Sequence, residues 1–164
     1  AQSTTFGSTL SAYGVINSGA QSTLAMPRNG YVTWRVAFNT NEQTGVQVGI
    51  KPITDGKGFL GADRMGYGIG CYNTRIWYHT PGTSFTTPQQ GNTLWKAGMT
   101  FMIERKGRHV TLRYGAPGQL PTTVMKHIKD IPSGTYRVEV RLSGNTLFMG
   151  VNSCQIAGVG LTEW

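Results

Sequence analysis

The chain has 164 residues, 23 of them glycine, and sets 15 lysines and arginines against seven acidic residues for a net charge of +8. This length fits one domain with one substantial core, and no apolar run is long enough to span a bilayer as a helix. A basic, carboxylate-poor surface draws polyanions rather than cations, although the same charge also serves simple solubility.

Residues 1–8 are Ser/Thr-rich and are expected to form a loose lead-in to a single domain covering 1–164. Strands are expected at 9–16, 22–26, 31–38, 45–50, 67–72, 75–79, 100–105, 109–114, 135–142, 146–151 and 154–161. The signal is alternation with a period of two. Val32, Trp34, Val36 and Phe38 share one face, opposed to Tyr31, Thr33, Arg35 and Ala37. Val110, Leu112 and Tyr114 repeat the pattern, and 135–142 alternates without a break. Turn pairs such as Asn29-Gly30, Pro81-Gly82, Lys106-Gly107 and Gly144-Asn145 separate the segments. No segment has a helical period. One dry and one wet face per strand predicts an all-β antiparallel two-sheet sandwich. Its long irregular stretches, 51–66, 80–99 and 115–131, are where a sandwich places binding groups.

Within 66–71 the glycines Gly66, Gly68 and Gly70 occupy one strand face, opposite Tyr67, Ile69 and Cys71. Bare backbone of this kind calls for something large against it, and a neighbouring Trp34 or Trp77 is the favoured occupant over a ligand ring. The basic cluster Arg105, Lys106, Arg108 and His109 surrounds a predicted hairpin turn and reads as a solvated loop. Cys71 and Cys154 are expected to be buried thiols, with an inter-strand disulfide as the alternative.

Few residues favour catalysis. Only Glu104 and Glu139 lie inside clear strands among the acidic residues, and both read as ordinary outward-facing glutamates rather than a glycosidase pair. The histidines His79, His109 and His127 have no metal-ligand spacing. No nucleophile elbow or cysteine–histidine pair occurs. No enzyme, metal or cofactor is expected.

Several segments in order resemble SPRY-type and concanavalin A-like domains. Gly30-Tyr31-Val32-Thr33-Trp34-Arg35-Val36 resembles the Gly…Tyr-Trp-Glu-Val strand, and Val46-Gln47-Val48-Gly49-Ile50 the Val-Gly-Val strand after it. Gly66-Tyr67-Gly68-Ile69, Trp77-Tyr78-His79 and the 97–105 segment are similar to later strands of the group. Met99 stands where an aspartate is usual, and Arg35 where a glutamate is usual. The resemblance implies a jelly-roll sandwich whose members mainly bind peptides or glycans, or sit at fibre tips.

The leading expectation is therefore a carbohydrate-binding module at a cell, virion or phage-fibre surface, extracellular in location. Sugar recognition needs flat aromatics and planar polar groups. Trp77, Arg75, His79, Asn73 and Trp95 are the candidate contacts, with Tyr31 and Arg35 as secondary ones. If Ile76 and Tyr78 point inward, Trp77 shares a polar face with Arg75 and His79; the opposite register would put Trp77 in the core. The second expectation is a coat, decoration or fibre-tip protein assembling with copies of itself, with Trp164 docked on its own domain or on a neighbour. A peptide-binding domain and a polyanion or nucleic-acid binder come last.

Overall fold

A computed structural model describes residues 2–13, 18–39, 45–53, 66–72, 75–81, 96–143 and 153–164. They form eleven strands: β1 (Gln2–Tyr13), β2 (Ser18–Ala25), β3 (Asn29–Asn39), β4 (Gly45–Pro52), β5 (Tyr67–Tyr72), β6 (Arg75–His79), β7 (Thr100–Lys106), β8 (His109–Gly115), β9 (Thr123–Ile128), β10 (Tyr136–Ser143) and β11 (Ser153–Glu163). One sheet has the order β1-β11-β3-β7-β8-β9 and the other β2-β10-β4-β5-β6. Every pairing is antiparallel.

The predicted alternation builds the core. Val32, Trp34, Val36, Phe101, Ile103 and Leu112 project from the first sheet, and Val48, Ile50, Ile69, Ile76 and Val138 from the second, all buried in one cluster. Trp34 stacks on Phe101, with centroids 5.6 Å apart and planes 19° apart. Trp34 therefore belongs to the core and does not cover the glycine stripe. Cys71 is a buried thiol in the same cluster; the side chain of Cys154 lies outside the described residues.

The expected lead-in is instead strand. β1 begins at Gln2, which pairs with Glu163 of β11. The segment 115–131 also contains a strand, β9, that alternation failed to reveal. Its register against β8 slips between Leu112 and Arg113, leaving Met125 as the extra residue between the paired Val124 and Lys126, and this bulge breaks the period of two. A second slip, between Arg137 and Glu139 of β10 against β2, is closed by a side chain. Ser22 Oγ accepts from the Val138 amide at 3.0 Å and donates to the Leu24 carbonyl at 2.7 Å. The strand expected at 146–151 lies outside the described residues.

The C-terminal residue docks on its own domain. Trp164 donates its amide to the Asn29 carbonyl, packs 5.6 Å from the Tyr31 ring and lies under the Lys106 ammonium at 5.2 Å, while half its surface stays exposed.

Candidate functional site

Alternation sends one set of β4, β5, β6 and β10 residues into the core and the other set to the far face of the five-stranded sheet. Strand register fixes which of the latter are neighbours. Glu139, Gly49, Gly68 and His79 form one row across β10, β4, β5 and β6. Gln47, Gly70 and Trp77 form the next row, and Arg137 pairs with Lys51 beyond the first. The register of β6 is the one with Ile76 inward: Ile76 is in the core cluster, Tyr78 packs against it, and Trp77 is not part of it.

This second face is closed to solvent. Gln47 is 5% exposed, Lys51 2%, His79 0% and Glu139 1%. Trp77 is also buried, which corrects the expected exposed platform. Glu139 is likewise no ordinary outward glutamate. Glu104 fits that description better, with Lys106 and Arg113 each 3.8 Å from its carboxylate.

The glycine stripe explains why His79 can lie flat. A side chain at Gly68 would put its Cβ 2.7 Å from the His79 ring and 2.3 Å from the Val48 carbonyl oxygen, so the imidazole occupies the space that glycine leaves. His79 Nδ1 lies 3.1 Å from the Gly66 carbonyl oxygen. A carbonyl only accepts, so Nδ1 carries the hydrogen and Nε2 keeps its lone pair. Gly66 has a φ of 69°, a left-handed conformation that turns the chain into β5 at the carbonyl His79 uses. Complete burial lowers the His79 pKa to about 4, partly offset by the Gly66 bond, and the imidazole is neutral at physiological pH.

Among the described residues, three buried nitrogens on this face have no hydrogen-bond partner: Gln47 Nε2, His79 Nε2 and Arg137 Nε. Native proteins leave few such groups, because each forfeits its hydration with nothing in return. At the β6 end of the described sheet, Arg75 is half-buried and Pro81, just past His79, is exposed. Of the expected contacts, Arg75, Trp77 and His79 are thus together, while Asn73 and Trp95 lie outside the described residues. Among the described residues, Gln47, Lys51, Arg137 and Glu139 share this face with those three. Gln47, Arg137 and Glu139 carried a signal in the sequence, since each sits on the polar side of an alternating strand, whereas Lys51 lies just past the expected end of its strand; only the pairing of β4 with both β5 and β10 brings the four together.

Tyr31 and Arg35 belong elsewhere, on the outer face of the six-stranded sheet. Tyr31 is half-buried against Trp164, and Arg35 is exposed beside a shallow groove with Leu120 and Pro121. They do not join the Trp77 group. Among the described residues no three His, Cys, Asp or Glu converge as a metal site, and no helix is long and apolar enough to cross a membrane.

The sandwich has the fold of SPRY domains and concanavalin A-like lectins. It superposes on a human SPRY domain with a TM-score of 0.58 at 10% identity, covering 94% of both chains. The exoplasmic/lumenal domain of VIP36 in its Ca2+/Man3GlcNAc-bound form matches with a TM-score of 0.60 at 10% identity, over 95% of this chain and 83% of that one. An alginate lyase from Corynebacterium sp. shares the fold with a TM-score of 0.51 at 12% identity, over 88% of this chain and 61% of the lyase. At these identities the likeness is one of fold. The sequence matches no protein-family model and no curated protein.

Proposed function

We propose that the domain is a non-enzymatic carbohydrate-binding module whose site is the buried polar face of the five-stranded sheet. The observation that carries this reading is the trio of unpartnered groups, Gln47 Nε2, His79 Nε2 and Arg137 Nε. Two of these nitrogens donate and the imidazole nitrogen accepts. A sugar hydroxyl does both, so one ring with neighbouring hydroxyls fills donors and acceptor together. Each bond relieves a desolvation penalty of about 1–3 kcal/mol. Arg75, half-buried on the same face of the outermost described strand, is the side chain placed to grip the ligand from the edge.

Among the described residues of this face Lys51, Arg75 and Arg137 outnumber Glu139, which favours an acidic sugar over a neutral one. The glycan-bound VIP36 domain supports carbohydrate as the ligand class for this fold. A module of this kind suits a cell, virion or phage-fibre surface.

The test is a glycan array at low and high salt with the wild type and Gln47→Ala. Binding to one sugar family should survive salt and weaken by about tenfold in the variant, the equivalent of one lost hydrogen bond of about 1.4 kcal/mol. Binding that fades with salt and ignores Gln47→Ala would assign it to the net charge instead. Because a lyase shares the fold, polyuronates are incubated with the protein and assayed for unsaturated products. Their release would replace the binding reading with a catalytic one.

A further inference from the structure

Away from that face, three arginines converge where the β7–β8 hairpin meets the 130–135 turn. Arg28, Arg105 and Arg108 line a cavity of about 360 Å³, closed on the other side by Ser133, Gly134 and Thr135. We propose that this cleft binds a tetrahedral oxyanion, a phosphate or sulfate group, either free or as the ester of a small molecule.

Arg105 is built to present its charge in one place. It is only 4% exposed, donates from Nε to the Gly107 carbonyl at 2.9 Å and from Nη2 to the Gly134 carbonyl at 3.1 Å, and holds its guanidinium carbon 4.7 Å from the centre of the Tyr136 ring. Tyr136 is itself buried and held by a 2.7 Å bond to the Pro132 carbonyl. These contacts use two of the five guanidinium N–H groups, and Arg105 lines the cavity with three still to place. Arg108 is positioned the same way, through Nε to the Ile131 carbonyl at 2.8 Å and Nη2 to the Asp130 carbonyl at 3.4 Å.

All of these acceptors are backbone carbonyls, which fix the guanidinium groups without neutralising them. Arg108 meets Asp130 at its main chain, and no ion pair joins Asp130 to any of the three arginines. Burial disfavours the charge on Arg105, and the nearby Arg28 charge acts in the same direction. Like charges held this close want a compact anion between them, and guanidinium forks match tetrahedral oxygens in geometry as well as charge. The cavity exceeds one oxyanion in size, leaving room for a small ester.

Calorimetric titration with inorganic phosphate, inorganic sulfate and glucose 6-phosphate, each at constant ionic strength made up with sodium chloride, tests the proposal. Saturable binding at one site is expected. Glucose 6-phosphate binding more tightly than inorganic phosphate would make the ester the preferred source, and the reverse order the free ion. Arg28 is exposed and makes no side-chain bond in the structure, so Arg28→Glu should fold and weaken binding by about tenfold or more. Lys96→Glu makes the same charge change about 20 Å away beyond the start of β7 and should alter affinity by less than about twofold. Equal losses in the two variants, or heats indistinguishable from chloride alone, would overturn the proposal. Gln47→Ala should leave phosphate affinity unchanged, which separates this cleft from the carbohydrate face.

Discussion

Acidification is the most direct probe of the buried face, because His79 is fully enclosed and its pKa is lowered from 6.5 to about 4. Unfolding returns the imidazole to water and to its ordinary pKa. Above about pH 6.5 both states hold it neutral, and it adds nothing to the pH dependence. Below that, the unfolded chain takes up a proton that the folded chain refuses until about pH 4, so stability falls as pH falls between these limits and levels off beneath them. The gap of about 2.5 pH units, at about 1.36 kcal/mol each, gives a total loss of about 3.4 kcal/mol, with about 2 kcal/mol gone by about pH 5. Urea unfolding at a series of pH values measures it directly. His79→Phe keeps a ring over Gly68 but cannot titrate. It should start less stable, since the Gly66 carbonyl loses its donor, and then show a slope reduced by the His79 contribution across this window. Identical slopes in the two proteins would mean that His79 is not the buried neutral group described here, and the acceptor role of Nε2 would fall with it.

Other perturbations read neighbouring parts of the same structure. Gly68→Ala places a Cβ 2.3 Å from the Val48 carbonyl and 2.7 Å from the His79 ring, so it should cost about 1–3 kcal/mol in urea unfolding. Trp77→Ala should destabilise by about 3 kcal/mol, since Trp77 is buried; a fully stable variant would mean that the indole is exposed. Trp164→Ala removes the Tyr31 contact and the Lys106 cation–π pair at a half-exposed position. It should lower stability by about 1 kcal/mol in thermal unfolding and leave the oligomeric state, read by light scattering, unchanged.

The sandwich was legible because alternation is a local property with a global consequence. Val32, Trp34 and Val36 face inward whatever strand lies beside them, and the core cluster contains all three. β9 was not legible, because its only buried residue, Met125, sits at a bulge beside the exposed Val124, so no alternation runs through the segment. Arg105 misled in another way. In the sequence it belongs to a charged hairpin, whereas the Tyr136 ring and the Gly134 carbonyl that bury it come from a distant turn. For Trp77 the strand pattern left two registers open; the pairing of β6 with β5 and the burial of Ile76 choose the one with Trp77 on the far face, and neither register speaks of cover. Alternation separates the two faces of a strand; it does not say whether the second face is wet.

That distinction bears on function. A sandwich needs one buried face per sheet, and here the five-stranded sheet buries both. Had stability alone shaped the second face, apolar residues would fill it, since a half-satisfied polar network is worse for folding than an apolar surface of the same shape. Instead it holds Lys51, His79 and Glu139 nearly or wholly without solvent contact, with Gln47 and Arg137 each keeping a nitrogen unpartnered. Three such unpartnered groups, at about 1–3 kcal/mol apiece, are comparable with the whole stability of a small domain. A coat protein assembling through its exterior would gain nothing from this arrangement, because the groups are not on the exterior. Under the proposed function, a ligand that supplied the missing bonds would recover that energy on binding, and the structural penalty would then be the source of affinity.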